Sequence, residues 1–128
     1  MSSKVDLQRE RSYWHMNDRI HQDLYACADY YIMTSKYEGG MPPLTLAEAM
    51  ASGLPCIVSD IPNLAVVKDA DCGIVVASDD IAQAGDKVLE YLKKEYSNQA
   101  RNARAYAVKH LDWALIAEIY LGFFREII

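Results

Sequence analysis

Two glutamates, Glu38 and Glu48, flank a Gly-Gly-Met-Pro-Pro turn in the stretch SKYEGGMPPLTLAEAMASGLPCIVSD, residues 35–60. A carboxylate repels a phosphate, but it accepts hydrogen bonds from vicinal hydroxyls, as acidic residues do toward a ribose in dinucleotide folds. Gly39 and Gly40 leave the backbone bare enough for a ligand to approach closely. The helix that follows opens with free amides around Leu44 and Thr45, and these amides with the helix dipole suit an anion, most naturally a phosphate. Phosphate on the amides with hydroxyls at both ends describes a sugar nucleotide. Taken singly, Glu38 reads equally well as an exposed loop charge and Glu48 as a solvated helix residue. The conjunction of strand end, paired glycines, proline-led helix, second glutamate and glycine stop is what points to a ligand.

The elements that must position these groups follow from periodicity. Ile20, Leu24, Cys27 and Ala28 recur at helical spacing, with Asn17 or Asp18 as the cap, and an arm of undefined structure over residues 1–19 precedes them. DYYIMTS, residues 29–35, reads as a strand, which puts Glu38 just beyond its carboxyl end, where open α/β sheets hold their ligands. A helix over residues 44–52 stops at Gly53, CIVSD is a second buried strand, and residues 73–77 are a third. Ser78, Asp79 or Asp80 caps a helix whose Ile81, Ala84, Val88 and Leu92 share a face. Ser97 caps the next, with Ala100, Ala103 and Ala107 inward, and Asp112 opens a last helix striped by Leu115, Ile119 and Phe123. The order implies an α/β fold, a partial doubly wound, Rossmann-like parallel sheet covered on both faces, with a helix-rich C-terminus.

Composition narrows the partners. With 13 basic against 18 acidic residues, a formal charge of −5 and no long basic run, the chain is not expected to bind nucleic acid. It has the make-up of one soluble globular domain, 52% hydrophobic and 24% charged, with no run long enough to span a bilayer and no signal peptide at its start. Cys27, Cys56 and Cys72 sit among apolar neighbours without a CxxC spacing, so buried reduced thiols and a cytoplasmic setting are expected. His15, His21 and His110 lack metal-ligand spacing, and no metal or cofactor is expected. Trp14, Trp113 and most of the nine tyrosines read as core or interface, and the apolar LGFF…II end reads as a surface for a partner.

Residues 28–76 also resemble a known family. Ala28-Asp29, Ser35, Glu38-Gly39, Glu48-Ala49-Met50-Ala51, Gly53, Pro55 and Gly73 to Val76 are similar to the C-terminal domain of GT-B retaining glycosyltransferases of family 4. The resemblance runs over roughly residues 20–125. It implies a single partial domain over 1–128, the half that binds a nucleoside-diphosphate sugar for retaining transfer to an acceptor, without a metal. Glu38 would face the donor sugar, the amides of Gly39, Gly40 and Met41 would line the sugar pocket, those of Leu44 and Thr45 would hold the diphosphate, and Glu48 would hold the ribose hydroxyls.

Two departures accompany it. Nine residues separate the glutamates here where the family has seven, with Gly40 and one of Pro42 or Pro43 as the extra loop residues. The family's Gly-Arg and Lys that neutralise the diphosphate have no counterpart, since Lys4, Arg9 and Arg11 do not map onto them, and the acceptor domain is missing too. The isolated chain is therefore expected to be inactive without a separate chain supplying the other half, or to cover its sheet edges as a homodimer. A peripheral membrane contact stays open. A non-catalytic assembly or binding module is the alternative, and a sugar-nucleotide epimerase of related architecture is a weaker one.

Overall fold

The computed structural model describes the backbone from Asp18 to Ile128 and the side chains from His21 onward. Of the arm expected over residues 1–19, residues 1–17 lie outside the described residues, as do the cap at Asn17 and the side chains of Asp18 and Ile20, while Asp18 and Arg19 belong to the first helix rather than to an arm. The elements in chain order are α1 (Asp18–Cys27), β1 (Tyr31–Met33), α2 (Leu44–Ala51), β2 (Cys56–Ser59), a 3-10 turn (Pro62–Leu64), α3 (Val66–Asp69), β3 (Gly73–Val76), α4 (Ile81–Leu92), α5 (Ser97–His110) and α6 (Trp113–Ile127).

The three strands form one parallel sheet in the order β1-β2-β3. Tyr31 faces Cys56 and Met33 faces Val58 across one ladder; Cys56 faces Gly73 and Ser59 faces Val76 across the other. All four residues of β2 are buried, as a central parallel strand requires. The expectation of cover on both faces holds there and fails at β1, where Ile32 is 60% exposed. Gly73 marks a place where β2 and β3 leave no room for a side chain. A Cβ there would stand 1.7 Å from the Cys56 carbonyl oxygen.

One core sits between the sheet and the helices α2, α3 and α5. Leu46 and Met50 of α2 meet Cys56 and Val58 of β2, Leu64, Val67 and Cys72, with Ala103 and Ala107 of α5 closing the side. The two alanines let the backbones of α2 and α5 come close. Arg104 then donates from Nη1 to the Ala51 carbonyl oxygen at 2.5 Å, at the end of α2. The helix stops as its sequence predicts. Gly53 takes the left-handed conformation at φ 74°, its amide bonds to the Met50 carbonyl at 3.0 Å, and the Leu54 amide reaches back to Ala49 at 3.1 Å.

Several expectations need correction. β1 ends at Met33 rather than Ser35, because no β2 residue pairs beyond it and the Ser35 carbonyl instead accepts the Ser59 hydroxyl. Cys56 and Cys72 are buried, but Cys27 is exposed, as is Leu24, because no described element covers that side of α1. Asp80 caps α4 through the Gln83 amide and Asp112 caps α6 through the Ala114 amide, at 2.9 and 2.7 Å. Ser97 does not cap α5: it lies inside the first turn, with Tyr96 at the cap position, and its hydroxyl donates to Glu95. On α4, Tyr91 is the buried residue, while Ile81 at the start of the expected face is exposed. No residue of α6 is buried, so the Leu115, Ile119 and Phe123 stripe faces outward, and Trp113 is exposed with it.

Candidate functional site

The loop 34–43 leaves the carboxyl end of β1 and delivers the chain to the start of α2. Its shape is held from β2. The buried Ser59 side chain donates to the Ser35 carbonyl at one end, and Asn63, in the turn after β2, donates from Nδ2 to the Gly40 carbonyl at 2.8 Å. Gly40 packs tightly on the prolines, since a Cβ there would lie 2.9 Å from the Pro43 Cα. Gly39 has nothing near its Cβ position and, like Met41, is exposed. The glycine pair therefore does two different things: Gly40 meets a steric demand inside the loop, and Gly39 keeps its outer face bare.

Pro43 stands at the cap position of α2 and carries no side-chain oxygen, so no side chain caps the first-turn amides. Leu44 and Thr45, the first two residues of this turn, are both exposed. One turn further, Glu48 is half-buried, off the face that carries the core residues Leu46 and Met50. Its carboxylate is not free. The Tyr25 hydroxyl, from α1, donates to Glu48 Oε2 at 3.1 Å and to the Thr45 carbonyl at 3.2 Å. From β1, the Tyr31 hydroxyl shares a 2.8 Å hydrogen bond with Thr45 Oγ1.

Both glutamates stand within electrostatic reach of Tyr31. Its phenol is pushed above the ordinary value by burial first, with the Cys56 thiol and the Glu38 and Glu48 carboxylates adding to it and the Thr45 hydrogen bond opposing. The Tyr25 phenol is pushed up as well, by burial and then by its bond to Glu48. Both carboxylates thus bear on one phenol, that of Tyr31 at the start of β1, whose hydroxyl also meets Thr45 in the exposed first turn of α2. An open groove of about 610 Å³ runs past Glu48 on the side of α1 and is lined by Tyr25, Ser52 and Arg104 among others. Glu38, Gly39, Gly40, Met41, Leu44 and Thr45 are not part of its lining.

The sequence alone assigns no site role to Tyr25, Tyr31, Ser59 or Asn63. Asn63 could have been found there, because it follows the carboxyl end of β2, the same edge of the sheet that singled out Glu38. Tyr25 carries no such signal. It lies 23 residues from Glu48, and only the packing of α1 beside α2 reveals the pairing.

A family model described as glycosyl transferases group 1 matches residues 10–110. The UDP-Gal:alpha-D-GlcNAc-diphosphoundecaprenol alpha-1,3-galactosyltransferase of Escherichia coli is 33% identical over 108 residues, covering 77% of this chain and 27% of that protein. The phosphatidyl-myo-inositol mannosyltransferase of Mycobacterium leprae (strain TN) is 32% identical over 76 residues, 58% of this chain and 20% of the relative. A third relative, EpsF of Bacillus subtilis (strain 168), is 47% identical over 58 residues, 45% of this chain and 14% of its own length. The chain thus spans less than a third of each relative.

Proposed function

Because the chain belongs to the group 1 glycosyl transferases, we propose that it is the part of such an enzyme that binds a nucleoside-diphosphate sugar for retaining transfer. The first-turn amides of Leu44 and Thr45 hold the diphosphate. The Glu48 carboxylate accepts the ribose 2′ and 3′ hydroxyls. The bare backbone of Gly39, Gly40 and Met41 lines the sugar, and Glu38 stands against it as the acidic group nearest the reacting carbon. The observation that carries this reading is the exposed, side-chain-uncapped start of α2, reached from the carboxyl end of a parallel strand, with one half-buried carboxylate in the loop before it and another one turn into the helix. Transfer itself also needs an acceptor site and cations for the diphosphate, which a further polypeptide region would bring.

Calorimetric titration with UDP, GDP and their sugars tests the assignment, and UDP-Gal is the first donor to try because a relative's name contains it. Binding in the wild type that falls at least about tenfold in Glu48→Ala supports it. No binding of any nucleotide would shift the reading to an assembly module. One observation favours that second reading: α6 exposes Trp113, Ile119, Tyr120 and Phe123 together, a surface suited to another polypeptide.

A further inference from the structure

We infer that Tyr25 is a positioning residue for nucleotide binding, its hydroxyl holding the Glu48 carboxylate in the orientation that pairs with a ribose diol. The inference rests on the donor-site reading above and adds to it a residue from a different element. A glutamate side chain turns about three bonds, and a carboxylate on an open helix face samples many orientations. To accept two adjacent hydroxyls, both oxygens must lie in one suitable plane. Glu48 has one oxygen, Oε2, engaged by the Tyr25 hydroxyl at 3.1 Å. The same hydroxyl lies 3.2 Å from the Thr45 carbonyl, so one proton ties the Glu48 carboxylate to the backbone of the first turn of α2. The ring of Tyr25 is itself steadied by His21, edge-on at 6.2 Å.

Two properties suit the hydroxyl to this task. A phenol is a donor throughout the neutral range, and burial and then the bond to Glu48 push this one further above its ordinary value. It also engages only one carboxylate oxygen, leaving Oε1 and a lone pair of Oε2 for the ligand. Prior fixing of a recognition group lowers the ordering cost that binding would otherwise meet.

Tyr25→Phe removes the hydroxyl and keeps the ring. The test is titration of wild type, Tyr25→Phe, Glu48→Ala and the double variant with UDP, GDP and ADP and with their 2′,3′-dideoxy forms. The expected result is that Tyr25→Phe weakens the ribonucleotide about tenfold, leaves the dideoxy form unchanged, and adds nothing in the Glu48→Ala background. A wild type that binds ribonucleotides better than dideoxy forms, with Tyr25→Phe equal to it, overturns the positioning role alone. Equal weakening of both nucleotide forms overturns it as well. So does a Tyr25→Phe chain that loses its helical circular dichroism, because the bond then serves the fold. A wild type that binds neither form, or both equally, overturns the donor-site reading and this inference with it.

Discussion

Glu48 joins two roles at one side chain: it faces a groove, and it accepts a hydrogen bond that links α1 to α2. Replacing it with alanine removes one of two acceptors from Tyr25 and leaves the Thr45 carbonyl as the other. Glu48→Ala should therefore cost no more than about 1 kcal/mol in urea denaturation while weakening nucleotide binding at least about tenfold. Gly73 behaves in the opposite way. Its missing side chain is a condition of the sheet, and Gly73→Ala should destabilise by about 3 kcal/mol or more in the same measurement, because the Cys56 backbone cannot move aside. The place of Glu48, one turn into α2 and close behind the glycine turn, is legible in the sequence, since both are local features. The hydroxyl that bonds to it is not, because a group on a neighbouring helix leaves no mark on the hydrophobic period.

At the scale of elements, local chemistry explains most of what the sequence reveals. The alternation of apolar strand and capped helix is read correctly for β2, α2, α4 and α6, each bounded by a residue whose backbone preference is strong, such as Gly53 or Asp80. Asp80→Ala should lower stability by about 1 kcal/mol in thermal or urea denaturation, as loss of an N-cap does. Burial is less legible. Leu24 and Ile81 fit helical stripes, yet both are exposed, because a stripe marks a face without saying whether an element exists to cover it. The α2–α5 contact shows the converse. Ala103 and Ala107 carry little hydrophobic weight, but their small size permits the close approach that places Arg104 at the end of α2.

Over the whole molecule, the three-stranded parallel sheet and the helix-rich C-terminus match the Rossmann-like C-terminal domain of GT-B enzymes. Among the described residues no helix is long and apolar enough to cross a membrane. The tyrosines give the fold a pH limit. Tyr91 is pushed up to about 12, by burial first, and Tyr30 is raised by burial and its neighbour Tyr96. Both phenols lose protons more readily in the unfolded chain, near the ordinary value of 10.0. Stability from this source is thus intact below about pH 10 and is lost as pH climbs toward the folded values, so urea midpoints should fall above about pH 10. The bond from Arg104 to Ala51 has a further consequence, in the timing of synthesis. The two residues are 53 positions apart, and the helix bearing Glu48 and Thr45 leaves the ribosome well before the helix that packs against its end. During translation α2 has only its own strand layer to rest on, and the end of the helix that carries Thr45 and Glu48 is fixed when the later helix arrives.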